Sequence, residues 1–153
     1  MALFLVQNGK SLSKGVDPDQ GLSKEGIAKV EWIVTVAKEY SIKVSQIDYN
    51  TKIRARQTVE IFASVLKPSG GIHKKSGLKP LDDATAIAYN IESQDAIMLI
   101  GHLPFMERLT AYLITGSVEK TVFKFQNSGI SCLDKDPDTL SWAIKWTLMP
   151  NIG

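Results

Sequence analysis

Few side chains in this sequence could do chemistry, and three groups of them stand directly after segments of strand length, two of which are apolar runs. Gln7-Asn8-Gly9-Lys10 follows the run 2–6, Asn50 through Arg54 follows 45–49, and Gly101-His102 follows 95–100. Continuous apolar runs of this length suit strands buried on both faces. In open α/β sheets, ligands sit beyond the carboxyl ends of such strands. An arginine and a histidine meeting there, each beside a helix start, would make an anion site, because backbone N–H groups and a guanidinium both favour negative charge. Arg54 is the more telling of the two. A cation in the first turn of a helix is mildly unfavourable, so its presence there asks for a phosphate or carboxylate partner.

Each of these residues also has a structural reading. Asn8-Gly9 is a common hairpin-turn dipeptide, although the polar stretch after it does not alternate as a strand would. Lys10 could offset a missing cation or simply be solvated. His102 could be a hydrogen-bonded core histidine. Asp82 and Asp83 are candidate general acids, or else cap the helix that follows them. Arg56, two positions beyond Arg54, faces elsewhere on a helix and is expected at the surface with His73.

The elements that must position these groups follow from periodicity. The run 2–6 is a strand, and the Gly-rich stretch 7–21 is a loop. Ser23 caps a helix with Ile27, Val30, Ile33, Val34 and Ala37 at i, i+3, i+4 spacing. Residues 45–49 form a second strand. A helix then starts near Ile53 or Arg54, with Ala55, Val59, Phe62 and Leu66 on one face, and stops at Pro68. Residues 70–75 are a possible short edge strand, and a helix opened by Asp83 or Thr85 runs to Ile91. The strand 95–100 leads through Gly101-His102-Leu103-Pro104 into a helix with proline in its first turn and Leu109, Tyr112 and Leu113 on its apolar face. Segments 129–133 and 141–148 are strands joined by a polar turn at 134–138. This order predicts an α/β fold: a three-layer sandwich with a mostly parallel central sheet, helices on both faces and a C-terminal antiparallel hairpin.

Composition bounds the function classes. The 153 residues suit a single domain, 1–153, of which folding buries roughly 68–70% of the unfolded surface. Eighteen basic and sixteen acidic side chains leave a net charge of +2, too mild to imply a nucleic-acid or membrane partner. No apolar run approaches the ~20 residues of a membrane span, and the first residues read as a strand rather than a secretion signal. One cysteine and two histidines make a structural zinc site improbable. Gly9, Gly15 and Gly21 lack the spacing of a nucleotide-binding glycine loop. A cytoplasmic protein without metal or cofactor is expected.

Taken in order, the motifs resemble those of the short, SixA-type phosphohistidine phosphatases of the histidine phosphatase, or phosphoglycerate-mutase-like, superfamily. Residues 50–58, Asn-Thr-Lys-Ile-Arg-Ala-Arg-Gln-Thr, are similar to the family's Ser-x-x-x-Arg-Ala-x-Gln-Thr. Gly101-His102-Leu103-Pro104 is similar to its Gly/Ser-His-x-Pro. Leu22-Ser23-Lys24-Glu25-Gly26 resembles its Leu-Thr-x-x-Gly helix opening, Leu78 through Asp83 its Leu-x-Pro-x-Asp-Asp segment, and Met149-Pro150 its terminal strand. The resemblance spans nearly the whole chain and implies the fold predicted above.

It breaks at the first motif. Where the family has Arg-His-Gly, this chain has Gln7-Asn8-Gly9. In the family that histidine attacks phosphorus, while the motif's arginine, a second arginine and a second histidine hold the phosphoryl oxygens. The resemblance therefore puts Asn8 at the position of the nucleophile, Gln7 at that of the first arginine, and Arg54 and His102 at the two retained phosphate-binding positions. An amide nitrogen is neither base nor nucleophile, and glutamine has no charge and no bidentate guanidinium. The expected protein is an impaired phosphatase that still binds phosphate or a phosphorylated protein, phosphohistidine included. The alternatives are an active phosphatase using His102, or a water activated by His102 or Asp83, and a scaffold with a vestigial cleft.

Overall fold

The computed structural model describes residues 1–91 and 95–152. Ten elements follow in the order β1 (Ala2–Gln7), α1 (Lys24–Glu39), β2 (Gln46–Tyr49), α2 (Ile53–Leu66), β3 (Ile72–Lys74), α3 (Ala84–Ile91), β4 (Ile97–Gly101), α4 (Phe105–Thr115), β5 (Ile130–Lys135) and β6 (Trp142–Leu148). They build one six-stranded sheet in the order β3-β2-β4-β1-β5-β6. Strands β3, β2, β4 and β1 are parallel, β5 is antiparallel to β1, and β6 returns antiparallel to β5 as a hairpin.

The apolar runs are continuous because the central strands are covered on both sides. Leu3 and Leu5 of β1 and Ile97 and Leu99 of β4 pack under α3 and α4, against Ile87, Ile91, Phe105 and Leu109. Their alternate neighbours Phe4, Val6, Met98 and Ile100 pack under α1 and α2, against Val30, Ile33, Val59 and Phe62. Pleating sends successive side chains to opposite faces, and both faces here are core.

Local signals set most boundaries. The Ser23 side chain accepts from Gly26 N at 2.9 Å and caps α1, and α4 ends at Gly116 in the left-handed conformation. Strand β3 exists, at the edge and only three residues long. Four expectations need adjustment. Strand β4 begins at Ile97 because the Asp95 carboxylate is occupied with Ala2 N at 2.8 Å and Ala96 has positive φ. Strand β5 runs on through Asp134 and Lys135, beyond the Leu133 at which the sequence pattern ends it. Pairing with the chain start extends it, through the Met1 ammonium on Asp134 at 3.2 Å and Lys135 N on Met1 O at 2.9 Å. Pro104 caps α4 from outside its first turn, after a cis Leu103–Pro104 peptide. The buried stripe of α4 runs through Phe105, Met106 and Leu109, with Tyr112 and Leu113 only half-buried at its margin.

Candidate functional site

The carboxyl ends of β1, β4 and β2 meet one open cleft of about 350 Å³, lined by Gln7, Asn8, Gly9, Lys10, Ser11, Arg54, Pro80, His102, Leu103 and Asn127. Of the residues singled out in the sequence, Gln7, Asn8, Arg54 and His102 come together here.

The backbone at the end of β1 is clamped from both sides. Asn8 N donates to Gly101 O at 3.0 Å, and Gln7 O accepts from Ser128 N at 2.8 Å. The turn beyond is tied to α2, where Gly9 N donates to Thr58 Oγ1 at 3.0 Å and that hydroxyl donates to Arg54 O at 2.7 Å. Gln57 accepts from Leu22 N at 2.7 Å. Gln57 and Thr58 thus join the 9–22 loop to the helix that carries Arg54. Their place in the motif is explained by this joinery rather than by contact with a ligand. Asn50 opens α2: its Oδ1 accepts from Lys52 N at 2.8 Å, and its Nδ2 donates to Leu78 O at 3.2 Å.

Arg54 lies half-buried in the first turn of α2 with no ion pair or side-chain hydrogen bond among the described residues. Asn8 and His102 are buried, 5% and 4% exposed. Burial first, and then the charges of Arg54 and Lys52, push the His102 imidazole down to about 4 from its ordinary 6.5. It is therefore neutral at pH 7, able to donate or accept a single hydrogen bond at Nε2 according to tautomer. The unfolded chain takes up this proton near 6.5 and the folded chain only near 4, so between those values the unfolded state binds more protons and stability falls as pH falls. We expect thermal melts of His102→Gln to lose part of the pH dependence that the unchanged protein shows across this window. Equal slopes for the two proteins would exclude His102 as its source.

Asp83 does not line the cleft. Its Oδ1 accepts from Thr85 N at 2.9 Å and Thr85 Oγ1 at 2.7 Å. These bonds hold its pKa below the usual carboxylate value, and the arrangement is that of a cap at the start of α3, not of a general acid. Asp82 likewise closes a turn by accepting from Lys79 N at 2.9 Å. Lys10 is paired with Glu25 at 3.0 Å, outside the cleft floor. Arg56 pairs with Glu60 at the surface at 3.1 Å, and His73 is exposed.

Asn127 was missed. Its Oδ1 accepts from Gln7 Nε2 at 2.7 Å. The search for polar residues after parallel strands could not find it, because β5 is antiparallel and brings its amino end to the cleft. The usable signal was the polar turn Asn127-Ser128-Gly129 directly before an apolar strand. Among the described residues no group of His, Cys, Asp and Glu could hold a metal ion, and no helix is long and apolar enough to cross a membrane.

No protein-family model matches the chain, and no curated protein does. Solved structures match over nearly its full length. The protein histidine phosphatase SixA complexed with tungstate superposes with a TM-score of 0.85 at 21% identity, covering 98% of this chain and 97% of that one. A protein described as the phosphohistidine phosphatase SixA of Agrobacterium tumefaciens gives 0.78 at 24% identity, with 97% of each chain covered. One described as an alpha-ribazole-5'-P phosphatase of Escherichia coli gives 0.78 at 13% identity, covering 100% and 99%. The chain has the fold of the SixA-type histidine phosphatases of the phosphoglycerate-mutase-like superfamily.

Proposed function

We propose that this protein binds phosphoryl groups in the cleft at the end of β1 and has lost the covalent step of phosphate hydrolysis. The observation that carries the reading is the half-buried guanidinium of Arg54, left without a partner beside a cleft whose nucleophile position is an amide. Arg54 supplies two parallel N–H donors to an oxyanion. His102, neutral before binding, offers a further contact, and an arriving negative charge raises its affinity for a proton. Asn8 supplies shape and hydrogen bonding but no lone pair able to attack phosphorus.

The surroundings favour a phosphoryl group carried on a protein. The cleft is open. Beside it lies a second groove of about 320 Å³ lined by Lys74, Lys75, Lys79 and Asp82 among others. Leu81, 83% exposed, stands between the cleft-lining Pro80 and the groove-lining Asp82. A free phosphate would touch neither the lysines of the groove nor Leu81, whereas a protein surface around a phosphorylated side chain would reach both. A solvent-exposed setting outside membranes, in the cytoplasm, fits this partner class.

Calorimetric titration with a phosphomonoester tests the reading. Hydrogen bonds to charged groups are worth roughly 1.5–3 kcal/mol, so Arg54→Ala is expected to weaken binding by about ten- to a hundredfold. Arg56→Ala, on the solvated side of the same helix, should leave it unchanged. Binding that ignores Arg54 would favour a vestigial cleft on an interaction scaffold.

A further inference from the structure

Charge is spread unevenly over this chain, and the excess gathers beside the cleft. Residues 48–82 carry seven basic and three acidic side chains, while the whole chain is only +2. The rest of the molecule is therefore net acidic. This segment builds most of β2, all of α2 and β3, and the groove of about 320 Å³ lined by Asn50, Thr51, Lys74, Lys75, Lys79 and Asp82 among others.

Groove and cleft share two walls. The turn into α2 gives Asn50 and Thr51 to the groove and Arg54 to the cleft. The segment 79–82 gives Lys79 and Asp82 to the groove and Pro80 to the cleft. The bond from Asn50 Nδ2 to Leu78 O at 3.2 Å ties one wall to the other. A peptide seated with its phosphoryl group against Arg54 has the groove as its next contact.

The acids of this region are already engaged. Asp48 is buried, with Oδ1 accepting from Gln46 Nε2 at 2.9 Å and Oδ2 paired with Lys75 at 3.4 Å. Asp82 accepts from Lys79 N at 2.9 Å, and Glu60 pairs with Arg56 on the solvated side of α2. Lys52, Lys74 and Lys79 are exposed, and their ammonium groups have no ion pair or hydrogen bond among the described residues. Lys10 and Lys29, by contrast, share Glu25 at 3.0 and 3.4 Å. None of the residues lining the groove is aromatic, so it offers no face on which a nucleic-acid base could stack. Separate ammonium groups, each a compact point charge, suit carboxylate side chains.

We propose that the groove is a second subsite, for carboxylates, so that the protein prefers a phosphoryl group carried on an acidic segment of its partner. Lys74 and Lys79, with Lys52 between groove-lining Thr51 and cleft-lining Arg54, are the specificity-determining residues. This rests on the phosphoryl-binding reading above and adds the charge of the partner's surface to it.

Three phosphoserine peptides of equal length, flanked by aspartates, asparagines or lysines, are titrated calorimetrically into the intact chain. Exposed ion pairs contribute little singly, so the aspartate peptide is expected to bind about five- to tenfold tighter than the asparagine peptide at low salt. The lysine peptide should bind most weakly. The preference should fade at about 1 M salt, where the screening length is about 3 Å. Lys74→Gln/Lys79→Gln should reduce it to about twofold or less. Lys38→Gln/Lys67→Gln removes the same charge at the far ends of α1 and α2, about 20 Å along the helices from the turns beside Lys10 and Arg54. It should leave the preference intact.

Equal affinity for the aspartate and asparagine peptides overturns the inference. So does a preference that both double variants lower alike, which would report net charge alone. A single-stranded DNA oligomer that binds more tightly than the aspartate peptide, and depends on Lys74 and Lys79, also overturns it. In each of these cases Arg54-dependent binding of the asparagine peptide leaves the phosphoryl-binding reading in place. An aspartate peptide that binds equally well without its phosphate overturns that reading and leaves the carboxylate subsite. Absence of binding by all three peptides overturns both.

Discussion

The double substitution Gln7→Arg/Asn8→His is expected to raise hydrolysis of a phosphomonoester or of phosphohistidine by at least about 10³-fold over the unchanged protein. Loss of one member of a covalent catalytic set leaves only the contribution of the binding and electrostatic groups, so restoring it should recover the difference. The scaffold is prepared for the change. The backbone at positions 7 and 8 is fixed by the bonds from Ser128 N at 2.8 Å and to Gly101 O at 3.0 Å, so an imidazole at position 8 would enter the cleft from a set origin. A guanidinium at position 7 would find Asn127 Oδ1 where Gln7 Nε2 now donates at 2.7 Å, and would add the charge that glutamine lacks. Steady-state rates of the two proteins, with folding of the variant verified by thermal melting, decide the matter. Similar rates would mean that the nucleophile lies elsewhere. Silence from both, with the variant folded, would point to a vestigial cleft.

The second large effect is structural and reaches the site through a close approach of two backbones. Gly26 sits in the first turn of α1, where a Cβ would collide with the Lys10 carbonyl oxygen and lie 3.0 Å from its carbon and 3.1 Å from Lys10 N. That carbonyl is the anchor of the loop, accepting from Ser23 N at 2.9 Å and Ser23 Oγ at 3.2 Å. Helix propensity alone would favour alanine over glycine by about 1 kcal/mol. Overpacking against backbone, which cannot rotate away as a side chain can, costs about 1–3 kcal/mol and sometimes more, so the collision wins. Gly26→Ala should destabilise by about 2 kcal/mol net, a fall of roughly 4–8 °C in melting temperature for a chain of this size. It should also weaken phosphomonoester binding, because the displaced carbonyl belongs to a residue lining the cleft. Gly15→Ala, with nothing within 4 Å of the added carbon, is the control and should melt with the unchanged protein. An unaltered melt for Gly26→Ala would show that the loop yields freely and does not brace the site.

The sequence by itself determined the elements and most of the site. Strands buried on both faces are mostly apolar, so runs such as 2–6 announce themselves and mark, by where they end, the polar residues that can meet a ligand. Gln7, Asn8 and His102 were legible for that reason, Arg54 by its place in the first turn of a helix, and the amide at position 8 is a matter of residue type alone. The strand ends and the roles of several polar side chains were decided only in three dimensions. Asp83 had two uses open to it, and Thr85, two residues on in the same turn, took its carboxylate as a cap. Asn127 entered the cleft because β5 runs against the other strands, a direction that no local pattern encodes. The hydrogen bond from Gln7 Nε2 to Asn127 Oδ1 follows from that placement. An amide carries both donor and acceptor, and only the neighbours that tertiary packing brings to it decide which of the two is engaged.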